Sequence, residues 1–121
     1  GYNSGMYNRP AVLIVDDDAS LRTMLSLSLK RAGYATLSAC SGAEALALLA
    51  TRPIDCMVTD GRMDPMDGFE LSRQAKTLKP DLRIAMVSAV FTAADAGDSP
   101  IDRMFEKPLA VSSLVAWLQQ R

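Results

Sequence analysis

The sequence predicts one α/β domain, a single doubly wound sheet of five parallel strands. Three observations carry that prediction. Short apolar runs stop abruptly at polar or charged residues, as strands buried on both faces do. Stretches with apolar residues at helical spacing lie between them, and strand–helix alternation implies right-handed crossovers and a parallel sheet covered on both sides. A chain of 121 residues, 49% apolar and 22% charged, is the size of one domain and buries a core without staples.

The elements follow in order. Gly1 to Pro10 (GYNSGMYNRP) lacks periodicity and reads as a disordered tail or linker, with Met6 a candidate natural start, so the domain spans 11–121. Ala11–Val15 (AVLIV) is the first strand and stops at three aspartates. Leu21, Leu25 and Leu29 mark a helix from Ala19 to Ala32, with Asp18 as N-cap and Gly33 just past its end. Ala35–Ala39 reads as a weaker second strand, and Ser41-Gly42-Ala43-Glu44 has the capping-box spacing that opens a helix to about Ala50. Ile54–Thr59 is the third strand, ending at Asp60. A loop over Gly61 to Asp67 leads to a helix from Gly68 to Leu78, stopped before Pro80. Arg83–Val87 is the fourth strand, ending at Ser88, and Met104–Phe105 a short fifth before Glu106-Lys107-Pro108. The closing helix, Val111 to Gln120, carries Leu114, Val115, Trp117 and Leu118. Five such strands most economically take the flavodoxin-like order 2-1-3-4-5.

Composition narrows the function. A net charge of −1 argues against a nucleic-acid surface. No apolar run approaches the roughly 20 residues a bilayer span needs, and no signal-peptide pattern opens the chain, so a cytoplasmic protein with no membrane partner is expected. Cys40 and Cys56 sit in apolar or small-residue company and are expected as buried thiols rather than a bridge. The absence of histidine removes His-based metal sites, Ser-His and Cys-His triads, and any phosphohistidine donor within the chain.

In a doubly wound sheet, ligands bind beyond the carboxyl ends of the strands, where the strand order reverses. Strand one delivers Asp16 and Asp17 there, strand three Asp60, strand four Ser88 and strand five Lys107. Crowded carboxylates repel, and a hard divalent cation relieves them; an all-oxygen site with few protein ligands suits Mg²⁺. One carboxylate is then free to act as nucleophile toward a phosphoryl group, a transfer that mainly needs positioning and charge stabilisation. Asp60, alone on the central strand and facing the pair, is the best nucleophile, with Lys107 and Ser88 to hold phosphoryl oxygens. Singly, each residue has a plain reading: aspartates as caps and turns, a strand-end serine, a solvated lysine. Met63, Met66 and Met86 read as packing residues, and Asp55 and Asp81 as turn or solvent residues. Only the joint pattern points to chemistry.

VLIVDDD at Val12–Asp18, VTDGRMDPMDG at Val58–Gly68, VSA at Val87–Ala89 and EKP at Glu106–Pro108 resemble the receiver domains of two-component response regulators, over essentially all of Ala11–Arg121. The resemblance implies Asp60 as phosphoacceptor, and Asp16, Asp17, Asp60 and the backbone carbonyl of Arg62 as Mg²⁺ ligands. It places Ser88 at the hydroxyl position, Lys107 at the family's lysine and Ala89 where a small residue leaves room for the phosphoryl group. It implies a sensor histidine kinase or histidine phosphotransfer protein as donor and a downstream protein as target, and no turnover of a separate substrate. No output domain is read in this chain.

Three departures from the family pattern stand out. Asp64 follows Met63 where proline is usual, and Pro65 comes one place later, which should reshape the loop and adds a charge near the site. Met104 occupies the switch position where an aromatic is usual; Phe105 is offset by one, and neighbouring strand residues face opposite sides. The stretch from Ser88 to Lys107 is about one helical turn short and holds Gly97, Ser99 and Pro100, so the fourth helix should be short, frayed or absent. Two other readings remain open: a degenerate receiver that binds partners without phosphorylation, and a Mg²⁺-dependent phosphohydrolase. The second would want an acidic residue two places after the nucleophile, where Arg62 stands. A flavin binder is disfavoured, because strand one ends in aspartates rather than a phosphate-cradling loop.

Overall fold

The computed structural model describes residues 10–120, so the expected tail lies, Pro10 apart, outside the described residues. Strands β1 (Ala11–Val15), β2 (Thr36–Ala39), β3 (Ile54–Asp60), β4 (Arg83–Ser88) and β5 (Arg103–Glu106) alternate with helices α1 (Ala19–Arg31), α2 (Gly42–Thr51), α3 (Gly68–Leu78), α4 (Ala93–Ala96) and α5 (Val111–Gln119). All four strand pairs are parallel and the order is β2-β1-β3-β4-β5, as expected.

Strand alternation sorts the apolar runs onto two faces. Val12, Ile14, Cys56, Val58, Val87 and Phe105 meet Leu25 and Leu29 of α1 and Leu114, Trp117 and Leu118 of α5. Leu13, Val15, Met57 and Ile84 meet Ala45 and Leu49 of α2 and Leu71 and Ala75 of α3 on the other side. Met63 and Met86 are buried and Met66 packs at the edge, the packing roles expected of them.

The helix ends answer to their capping residues. Asp18 accepts from the amides of Ser20 (2.9 Å) and Leu21 (3.3 Å), and Asp67 from that of Glu70 (2.9 Å). Gly33 follows α1 at φ 98°, a conformation that costs a residue with a Cβ more than it costs glycine. The last carbonyls of an α-helix lack regular ladder partners; at the end of α5 the Gln120 amide reaches Trp117 O (3.1 Å), and further donors come from the sheet. Arg83 on β4 supplies them, donating to Trp117 O (2.8 Å) and Leu118 O (3.3 Å) while its guanidinium lies 4.1 Å from the Trp117 ring centroid.

Two expectations need correction. The Ser41–Glu44 capping box is only half reciprocal: Ser41 accepts from the Glu44 amide (3.2 Å), but the Glu44 carboxylate takes the amide of Cys40 (2.9 Å) instead of that of Ser41. That same turn carries Cys40 to the surface, one residue past the inward-facing Ala39, so it is exposed and not buried, while Cys56 is buried; both thiols are free. The fourth helix is four residues long with none buried, in line with its poor helix formers. No helix among the described residues is long and apolar enough to cross a membrane.

Leu29 is fully buried against both α5 and the sheet, whereas Met24 on the same helix is exposed. Leu29→Ala should cost about 2–5 kcal/mol and Met24→Ala within about 0.5 kcal/mol, read from urea unfolding midpoints.

Candidate functional site

Strand register builds the site. Val15 lies opposite Thr59, so Asp16 and Asp60 fall on the next rung at the carboxyl ends of β1 and β3. Asp16 continues the face of Val12 and Ile14, and Asp60 that of Cys56 and Val58, so both carboxylates lean to the α1/α5 side. β5 pairs Glu106 with Ser88, and one step further the Lys107 amide donates to Ser88 O at 3.1 Å. This brings Lys107 to the same side: its Nζ stands 3.2 Å from Asp60 Oδ1 and 3.8 Å from Asp16 Oδ2. Asp17 is exposed, yet it, Asp16 and Asp60 each offer a carboxylate oxygen within 4.8 Å of the others.

Backbone contacts hold this rung. Asp16 Oδ1 accepts the Asp18 amide at 2.9 Å, and Arg22 of α1 donates from Nη1 to Asp16 O at 2.7 Å. Gly68, the first residue of α3, donates to Gly61 O at 2.9 Å, and a Cβ there would collide with Asp60 O. Glycine at 68 is what lets α3 seat directly on the strand end.

Ser88 reaches the rim from the opposite face of β4. It is 2% exposed, and its Oγ accepts the amides of Val90 (3.1 Å) and Phe91 (2.9 Å). A Cβ at Gly61, next to Asp60, would stand 3.2 Å from that Oγ. Ala89 is exposed just beyond. Asp16, Asp17, Asp60 and Lys107 thus come together, with Ser88 beside them. Arg62 and Asp64 are exposed on the loop after Asp60, and the Asp64–Pro65 and Lys107–Pro108 bonds are cis. Met104 stands apart from the cluster: it pairs with Met86 and is half-buried, while Phe105 faces the other way, 6.4 Å from Trp117. Arg22, Gly61 and Phe91 were missed in the sequence. Arg22 lacks the periodicity that marked the leucines around it, whereas a glycine directly after Asp60 was a signal available to be read.

Below the carboxylates is a cavity of about 180 Å³, floored by Ile14, Val58 and Val87 and rimmed by Asp16, Asp60 and Lys107. Burial over that floor is the main force raising the Asp16 carboxyl above the usual aspartate value; the Asp18 amide lowers it, Asp60 raises it, Lys107 lowers it and Asp17 raises it. Because the folded value is the higher one, folding favours the protonated acid. That contribution to stability is complete below the unfolded value, about 4, and is lost as pH rises through the folded value. Without divalent cations, Asp16→Asn should therefore raise the thermal midpoint at about pH 7 and change it much less near pH 4. A lower midpoint for the variant at neutral pH would show that the Lys107 ion pair outweighs the burial.

Residues 12–119 match the response regulator receiver domain family. The chain is 37% identical over 92 residues to the transcriptional regulatory protein GlrR of Escherichia coli, covering 75% of this chain and 21% of that one. It is 34% identical over 107 residues to the response regulator receiver protein CpdR of Brucella abortus, covering 86% and 89%. The chain thus spans about a fifth of the first relative's length and most of the second's. Among solved structures, it superposes on a response regulator from Burkholderia pseudomallei, which holds a phosphorylated aspartic acid, a calcium ion and citrate. The TM-score is 0.83 at 28% identity, over 92% of this chain and 67% of that one. With its parallel sheet in the order 2-1-3-4-5 and its carboxylates gathered at the strand ends, this chain belongs to the receiver domains of the two-component response regulators, the phosphoacceptor modules of that signalling system.

Proposed function

We propose that Asp60 is the phosphoacceptor of this receiver domain. The observation that carries the reading is Lys107 Nζ, 3.2 Å from Asp60 Oδ1 and 3.8 Å from Asp16 Oδ2, beside a third carboxylate. One ammonium set between two carboxylates is placed to follow charge as it moves from Asp60 to a phosphoryl group. The phosphorylated aspartic acid of the Burkholderia pseudomallei relative supports this.

Three carboxylate oxygens within 4.8 Å of one another form a hard, all-oxygen donor set, which fits Mg²⁺. Asp16, Asp17, Asp60 and the carbonyl of Arg62 would hold it, and when bound it neutralises charge on the phosphoryl oxygens. The chain's own residues do the rest. An Asp60 carboxylate oxygen forms the new bond to phosphorus, and the phosphorus–nitrogen bond of a phosphohistidine donor breaks. The electron pair leaves on the imidazole, so the donor is a sensor histidine kinase or histidine phosphotransfer protein. Lys107 moves its charge onto one phosphoryl oxygen and the Ser88 hydroxyl donates to another. Water later cleaves the acyl phosphate, returning the carboxylate and inorganic phosphate. The domain turns over no separate substrate, acts in the cytoplasm, and passes its signal by a changed affinity for a downstream protein.

A phosphohydrolase would place an acid/base two residues after Asp60, and Arg62 cannot serve there at neutral pH. With acetyl phosphate and Mg²⁺, intact mass should rise by one phosphoryl group in the wild type and not in Asp60→Asn, while simple phosphate esters are not turned over. Lys107→Ala should bind Mg²⁺ at least as well and lose phosphorylation by roughly a hundredfold or more, the scale on which one charge-stabilising donor counts. An unchanged mass despite Mg²⁺ binding would favour the degenerate receiver. Met104→Ala should keep the amide shifts that beryllofluoride induces around Asp60 and Ser88, since Met104 lies outside the cluster; their loss in a folded variant would restore position 104 as the switch.

A further inference from the structure

Phe91 is an aromatic residue beside the phosphoacceptor that none of the readings above uses. It sits in the loop after β4, and its ring makes an edge contact with Phe69 of α3, centroids 4.9 Å apart at 68°. The other side of the ring closes on the backbone after Asp60: a Cβ at Gly61 would lie 2.9 Å from Phe91 Cδ2, 3.0 Å from Met86 Sδ and 3.2 Å from Ser88 Oγ. A side chain at 61 would force the ring, the sulfur or the hydroxyl away, so glycine is what lets Phe91 and Ser88 close in. The loop that carries Phe91 also carries the two amides, of Val90 and Phe91 itself, that donate to Ser88 Oγ at 3.1 and 2.9 Å.

A serine hydroxyl has two lone pairs and one proton. With both lone pairs taken by these amides, Ser88 has only its proton left to offer, and a phosphoryl oxygen is an acceptor. The amides therefore preset the hydroxyl as a donor, and they stay in place only while their loop does. Beyond it the Asp95 carboxylate accepts the Thr92 amide at 2.7 Å, but α4 is four residues long and buries none of them, so the Phe91 ring is the loop's packing contact with α3.

We propose that Phe91, clamped between Phe69 and Gly61, is a positioning residue that holds Ser88 in its phosphoryl-donating state. The proposal rests on the phosphoacceptor reading above and assigns part of that site's work to a residue outside it. Ring contact is thereby supplied from the loop after β4, in a chain whose switch position holds methionine.

Beryllofluoride with Mg²⁺ serves as the phosphoryl probe, its affinity read by calorimetry on the full chain. Phe91→Ala should bind it roughly threefold to tenfold more weakly, the scale of one aromatic pair, while Mg²⁺ affinity stays within about twofold. Phe91→Tyr, which keeps the ring, should restore wild-type affinity. Ser88→Ala should weaken binding, and adding Phe91→Ala to it should cost nothing further, because the ring acts only through the hydroxyl. Gly61→Ala should mimic Phe91→Ala, and amide exchange at 90 and 91 should quicken in both. Equal affinity in wild type and Phe91→Ala, or losses that add in the double variant, overturn the role of Phe91 alone. A wild type that takes no beryllofluoride, or an Asp60→Asn variant that binds it equally, overturns the phosphoacceptor reading and this one with it.

Discussion

Three carboxylates at one rim of a parallel sheet, with a single ammonium between two of them, set the terms for the rest of this molecule. Two unit charges 4.8 Å apart repel by on the order of 3 kcal/mol at an effective dielectric of about 20. Lys107 offsets part of this and leaves net negative charge over an apolar floor of Ile14, Val58 and Val87. Burial there raises the Asp16 carboxyl. An arrangement that costs stability must be held by its surroundings, and the neighbouring contacts do so. Arg22 grips the Asp16 carbonyl, Asp18 turns its amide onto the Asp16 carboxylate, and Gly68 seats α3 against Asp60.

Much of this was legible in the sequence, for a physical reason. Parallel strands buried on both faces must be continuous apolar runs, so their ends are marked by the first charged or polar residue, and those residues line the rim. AVLIV before Asp16 and Ile54–Thr59 before Asp60 therefore announce both the strands and the site. The helix cap at Asp18 and the turn at Gly33 are local chemistry, and the structure bears them out. The thin fourth helix followed from Gly97, Ser99 and Pro100 in the same way.

The rest depended on contacts between elements, which one-dimensional pattern does not encode. Small neighbours suggested that Cys40 was buried, but the Glu44 carboxylate draws its amide into the turn and the thiol goes to the surface. Arg83 opens an apolar strand by its pattern, and only the fold brings it under the end of α5, bonded to the carbonyls of Trp117 and Leu118. Phe91 and Phe69 are 22 positions apart in sequence, and each alone looks like an ordinary apolar residue. Gly61 gains meaning only once Phe91, Met86 and Ser88 are seen to crowd it.

The two halves of the domain differ in how firmly they are covered, and the site stands between them. The sheet face under α1 and α5 is firmly covered, with Leu29 and Leu114 fully buried and α5 fastened by Arg83 of β4. On the β5 side, α4 is one short turn, Val90 is exposed and Met104 is only half-covered. Elements with few buried contacts open at low free-energy cost, and such elements are the ones available to move. Asp16 and Asp60 stand at the ends of β1 and β3, over that firmly covered face. Ser88 and Lys107 come at the ends of β4 and β5, the strands that border this thinly covered edge. A longer, buried fourth helix would raise the cost of moving the loop after β4, and the four exposed residues of α4 leave that cost low.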